Sequence, residues 1–237
     1  MSDFARVERV AWSILGAVRR AVQVLAWSIA AVAFPFGGSA FGGSGIALGV
    51  ALVLALWVWH WLWLPRAAHA AFARGRYARA CRGYRLVGLL AATSRRGRAV
   101  VLSRIGCHVA LGEHAIAAAL LATVAPADLD AAERAVWLNN RACIALDDDP
   151  TAALALSDEA AALRPDVPDL QHTRGMALLA VGRVDDAIAV FDKMRAGGEL
   201  PSRLEAERCR DLARAWTQKG EAAYAEDYRL RAEVLGR

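Results

Sequence analysis

The stretch Ala180–Phe191, AVGRVDDAIAVF, decides the reading of this chain. Gly182 separates two runs of apolar residues with helical spacing, so it marks a turn between two helices. Asp185 and Asp186 follow where acidic side chains favour a helix N-terminus. Ala187 and Phe191 lie four apart and share one helix face, a small residue beside a large one. Upstream, Gly175 and Leu178 lie on the first helix of the same pair. A glycine and an alanine let two helices approach closely, while Phe191 and Leu178 fill the space between pairs.

The pattern repeats with a period of 34. Trp137, Ile144, Ala153 and Ser157 precede Gln171, Leu178, Ala187 and Phe191 by that interval. On these residues the chain resembles the tetratricopeptide repeat family. One copy runs over 134–167, with Trp137 at the early aromatic position, Ala153 at the small position and Pro165 at the terminal proline. The second runs over 168–201, with Gly175, Leu178, Gly182, Ala187 and Phe191 on the motif. The first copy departs from the pattern at Arg141 and Ser157, which replace the helix glycine and the large aromatic. Its turn is Asp147-Asp148-Asp149-Pro150, with Asp149 as N-cap and Pro150 at the first helical position.

The resemblance implies an all-α solenoid of helix-turn-helix units, none of which buries its apolar face alone. It also implies a concave groove, lined by the first helices, that binds a protein or peptide partner. The lining residues would be Leu138, Asn139, Ala142, Ala145, Leu146, Asp169, His172, Thr173, Met176 and Leu179. Asn139 offers both donor and acceptor to a peptide backbone, or else satisfies a neighbouring helix end. Asp169 and Thr173 stand where a carboxylate-binding groove of this family would need basic or amide groups, which argues against that activity.

Three further hairpins are expected around Gly75, Gly112 and Gly220, and they divide by charge. Residues 66–125 hold ten Arg against one acid, Glu113; residues 126–237 hold 15 Lys and Arg against 21 Asp and Glu. The organisation expected is an amphipathic segment over 1–20, an apolar hairpin over 21–65, basic degenerate hairpins over 66–130 and the repeat domain over 131–237.

The apolar hairpin rests on an interval without Asp, Glu, Lys or Arg from Ala21 to Pro65. Ile46–Leu64 holds 19 residues, enough as a helix to cover about 28 Å, near the hydrocarbon thickness of a bilayer. Trp57, Trp59, Trp61 and Trp63 read as an interfacial collar, Arg19, Arg20 and Arg66 as flanking charges, and Pro65-Arg66 as the end of the span. The flanks are basic and the intervening loop is uncharged. The expectation is therefore an integral protein embedded in its lipid bilayer with both termini cytoplasmic, and the excess of Arg over Lys193 and Lys219, with abundant Ala, points to a bacterial inner membrane.

Catalysis has no signature here. No phosphate-binding glycine loop, metalloprotease helix or serine elbow is present. Cys81, Cys107, Cys143 and Cys209 lack zinc spacing and read as small core residues; the five histidines are scattered and read as ordinary helix residues. The three adjacent Asp at 147–149 diverge too much for a metal site. No cofactor is expected, and the Arg-rich stretch lacks the stacking aromatics that nucleic-acid binding would add. The function expected is a membrane-anchored scaffold or adaptor, not an enzyme; the alternative is an accessory subunit of a transport or secretion assembly packing through its apolar hairpin.

Overall fold

The computed structural model describes residues 51, 55, 58–89, 91, 94–196 and 198–236. Among them the chain is all-α. A π-helical turn, Trp59–Trp63, leads into α1 (Leu64–Ala73), followed by α2 (Tyr77–Leu89), α3 (Ser94–Ala110), α4 (His114–Leu121), α5 (Ala131–Ala145), α6 (Pro150–Leu163), α7 (Pro168–Ala180), α8 (Val184–Ala196), α9 (Ser202–Gln218) and α10 (Ala222–Leu235). A 3₁₀ turn, Pro126–Asp128, separates α4 from α5. The helices pair into five hairpins.

Four of the five hairpins turn on Gly75, Gly112, Gly182 or Gly220, each with φ between +71° and +83°. Only glycine adopts that conformation without steric cost. Each turn carries the same two bonds: at Gly182, its own N–H donates to Leu179 O at 3.0 Å and Arg183 N–H donates to Leu178 O at 2.9 Å. The second closes a Schellman-type end on the first helix. The fifth turn uses side chains instead. Asp149 accepts from Ala152 N–H at 2.9 Å, and Pro150 opens α6, as the sequence predicts. A capping box between Asp130 and Glu133 starts α5.

The period survives in the helices. α8 begins 34 residues after α6, and α9 begins 34 after α7. α9 is 17 residues long against 13 for α7, one extra turn, and that shifts α10 out of register. The first helices stack in order: α3 packs on α5, α5 on α7 and α7 on α9. Each second helix but the last packs between its own first helix and the next.

The interior repeats with the hairpins. Phe191, fully buried, lies with Leu178, Ala187, Leu204 and Leu212 in the cluster joining the fourth hairpin to the fifth. A Cβ on Gly175 would fall well inside van der Waals contact of the Phe191 ring. At the equivalent positions of the preceding hairpin both residues change together. Arg141 turns outward, its guanidinium 4.7 Å from the Trp137 ring centre, and Ser157 is fully buried. Trp137 packs against two clusters and bridges the second and third hairpins. Ala153 is fully buried, as its motif position requires. Pro165 sits in the turn before α7, its carbonyl accepting from Gln171 Nε2 at 3.3 Å.

Two expectations for the amino-terminal third change. Pro65 does not end a helix: Leu64 N–H bonds to Trp59 O in the π-turn, and Pro65 stands in the first turn of α1, where no N–H is needed. The apolar run therefore feeds into the first hairpin, and Leu64 is buried in its core with Ala68, Cys81 and Tyr84. Among the described residues no helix is long and apolar enough to cross a membrane. That overturns the expectation of an integral inner-membrane protein with cytoplasmic termini, and with it the bilayer as partner. The amphipathic segment, most of the expected hairpin, Arg19, Arg20 and Trp57 lie outside the described residues. Of the collar, Trp59 and Trp63 are exposed, Trp61 is half-buried under the Arg96 guanidinium at 3.8 Å, and Arg66 donates to Leu62 O at 2.8 Å.

Candidate binding cleft

The expected groove residues separate into three groups. Leu138, Ala142, His172 and Thr173 are buried; Leu138 packs with Ala135, Ala160 and Leu170. They build the stack rather than its surface. Thr173 Oγ1 donates to Asp169 O at 3.2 Å and lies 3.5 Å from Cys143 Sγ, a thiol whose pKa burial raises. His172 Nε2 approaches Asp211 Oδ2 at 2.9 Å without hydrogen-bond alignment, and its ring leans on Phe191.

The second group lies at the N-terminal end of the stacked first helices and meets the chain's own first hairpin. Asp169 accepts from Arg203 Nη2 at 2.9 Å. Arg203 also donates to Glu207 Oε2 at 2.6 Å, and Tyr77 donates to Glu207 Oε1 at 3.3 Å. The Phe72 ring stacks edge-on against Tyr77 and lies under the Arg203 guanidinium at 5.5 Å. Burial disfavours charge on Arg203, but Glu207, Tyr77 and Asp169 outweigh it and raise its pKa. Burial first, then Glu207, raise the Tyr77 phenol above its ordinary value of 10. The turn between α1 and α2 thus closes on α9 and occupies this end of the groove.

The third group reaches a surface cavity, with Leu146 and Met176 half-buried and Leu179 buried. Leu146, Met176 and Leu179 line a cavity of about 210 Å³ with Asp147, Ala180, Arg214 and Gln218. It lies at the C-terminal ends of α5, α7 and α9. Leu146, Ala180 and Arg214 are separated by 34 residues each, so one position of three successive first helices forms one cleft. Arg214 is held by Asp211, donating from Nη1 to Oδ1 at 3.1 Å, while most of its side chain faces solvent.

Comparison with known proteins adds little. No family model matches the chain, and no curated protein matches it. Among solved structures it is similar to the chain described as MamA MSR-1 C2, at 21% identity, over 75% of this chain and 95% of that one, with a TM-score of 0.44. That likeness is too weak to carry an argument about binding.

Asn139 and Ala145 fall between the groups and are half-buried; Asn139 Oδ1 is shielded from solvent and accepts no hydrogen bond among the described residues. Asn140 is buried and donates to Leu102 O at 3.3 Å, tying α5 to α3. Sequence reasoning missed Arg214 and Gln218 because the last hairpin lacks the motif. The period was the available signal: stepping 34 from Ala180 lands on Arg214. Among the described residues no group of three His, Cys, Asp or Glu could hold a metal ion.

Proposed function

We propose that this chain is a protein-interaction scaffold or adaptor that holds a peptide segment of its partner in the cleft lined by Leu146, Met176, Leu179 and Arg214. The observation that carries this reading is the 34-residue succession Leu146, Ala180, Arg214 along one open cavity. Leu146, Met176 and Leu179 supply apolar contact area, and the largely exposed Arg214 guanidinium at the rim supplies a polar anchor. The N-terminal half of the groove is taken by the chain's own Phe72 and Tyr77, so the reading assigns binding to the C-terminal half alone. Of the other expected groove residues, Leu138, Ala142, His172 and Thr173 are buried in the stack, and Asp169 is held by Arg203 at the closed end.

A photo-activated crosslinking residue placed at Met176 or Arg214 in the full chain, in cells, tests this reading. Discrete protein adducts at both positions, absent when the same residue replaces exposed Asp186 on α8, are the expected result. Adducts at Asp186 with none at the cleft would contradict it.

A further inference from the structure

The first hairpin and α3 bring together three side chains that the cleft does not use. Cys81 on α2 faces His108 on α3, with Sγ 3.5 Å from Nε2. The other ring nitrogen of His108, Nδ1, lies 2.5 Å from Glu113 Oε2. Glu113 follows Gly112, whose positive φ turns the chain back toward α3 so that its carboxylate reaches the ring. Nucleophile, base and orienting carboxylate thus stand in series. Their sequence separations of 27 and 5 residues hide the arrangement from any motif search. The carboxylate fixes the tautomer with the proton on Nδ1, which donates to Oε2 and leaves the Nε2 lone pair for the thiol proton.

We propose that Cys81 is a covalent-modification site, a thiol activated by the His108–Glu113 pair and oxidised by hydroperoxides to a sulfenic acid. The thiol gives its proton to His108 Nε2. The sulfur lone pair then attacks one peroxide oxygen; an S–O bond forms as the O–O bond breaks. Sulfur is oxidised and the peroxide is reduced. The leaving hydroxide takes the proton back from His108 and departs as water, or the corresponding alkoxide departs as alcohol. Cys81 is 8% exposed and the His108 side chain 13%.

The same layer contains a natural control. Cys107 on α3 belongs to the same core cluster but has no histidine against its sulfur among the hydrogen bonds of the described residues. Burial first, and Cys81 next, push its thiol up to about 12, with Arg104 acting the other way. Burial likewise raises Cys143 and Cys209. Among the described residues Cys81 is the thiol with a histidine nitrogen against its sulfur, and that contact sets it apart from the other three. Nearby, the Tyr84 phenol is hydrogen-bonded to His69 Nδ1 at 2.7 Å, and Arg104 acts on Cys107.

The test exposes the full chain to hydrogen peroxide and quenches aliquots into denaturant containing dimedone. Peptide mass spectrometry then gives the rate of sulfenic acid formation at each cysteine, as a function of pH. Cys81 is expected to oxidise at least about ten times faster than Cys107, Cys143 or Cys209. H108Q should bring its rate to within about twofold of the others and alter its pH profile. E113Q alters a side chain that is 44% exposed, so it preserves the core and should lower the rate severalfold. If H108Q unfolds, seen by circular dichroism, E113Q decides. Oxidation of Cys81 no faster than Cys107, or a rate and pH profile unchanged in E113Q, would overturn the assignment.

Discussion

Tyr77 and Glu207 lie 130 residues apart and share a hydrogen bond of 3.3 Å. That bond joins the turn of the first hairpin to the first helix of the last, and Phe72 reinforces it beneath Arg203. Removing the phenol oxygen in Y77F should cost about 1 kcal/mol, the usual net worth of one hydrogen bond. Removing the half-buried ring in F72A should cost about 2 kcal/mol, less than truncation of a fully buried aromatic. Urea unfolding measures both, and hydrogen exchange should show the added opening concentrated in α1 and α2. The raised Tyr77 pKa adds a pH signature. The folded state holds this proton more tightly, so its contribution is complete below the unfolded value near 10 and is lost as pH rises through the folded value. Y77F should therefore lose less stability than wild type above about pH 10.

The approach of Gly175 to Phe191 admits no Cβ. G175A should destabilise by about 1–3 kcal/mol through overpacking, and F191A by about 3–5 kcal/mol through the cavity it leaves. Thermal unfolding of the two single variants and the double variant checks the coupling. The double variant should be less destabilised than the sum, because without the ring the new methyl has room.

Arg208 is 2% exposed and forms a two-point pair with Glu205, at 2.8 and 2.6 Å, while also donating to Phe191 O. The hydrogen bond from Arg208 lowers the Glu205 pKa from its ordinary 4.5. A carboxylate depressed in the folded state contributes stability that is present above the unfolded value and lost as pH falls through the folded one. E205Q should cost about 3 kcal/mol at neutral pH by leaving a buried guanidinium short of its partner. It should also flatten the loss of stability below about pH 4.5, measured by urea midpoints across the acid range.

How much of this was legible follows from the range over which each feature is encoded. The hairpins of Trp137–Phe191 were open to reading because helix period, glycine turns and the 34-residue spacing all act within a few dozen residues. The compensation of Arg141 by Ser157 was visible as a departure, but its meaning, an outward arginine and a buried small residue, needed the packing. Tyr224 and Leu230 are apolar yet exposed, because no further helix among the described residues covers α10. The Trp59–Leu64 run has the composition of a membrane boundary, and composition does not distinguish lipid from the core of a hairpin; Leu64 is in that core. The closure of Tyr77 on Glu207 and the Cys81–His108–Glu113 series depend on how successive hairpins rotate, which no local pattern records.

The most direct test of the cleft is the affinity of a peptide selected against the full chain by display, compared between wild type and Ala180→Trp. Ala180 is exposed at the cavity wall, so the indole fills the cleft without entering the core. The account predicts that binding falls at least about tenfold, 1.4 kcal/mol or more, while the unfolding midpoint stays unchanged. Affinity untouched by A180W, but abolished by a substitution on the second helices such as Asp186→Trp, would contradict it.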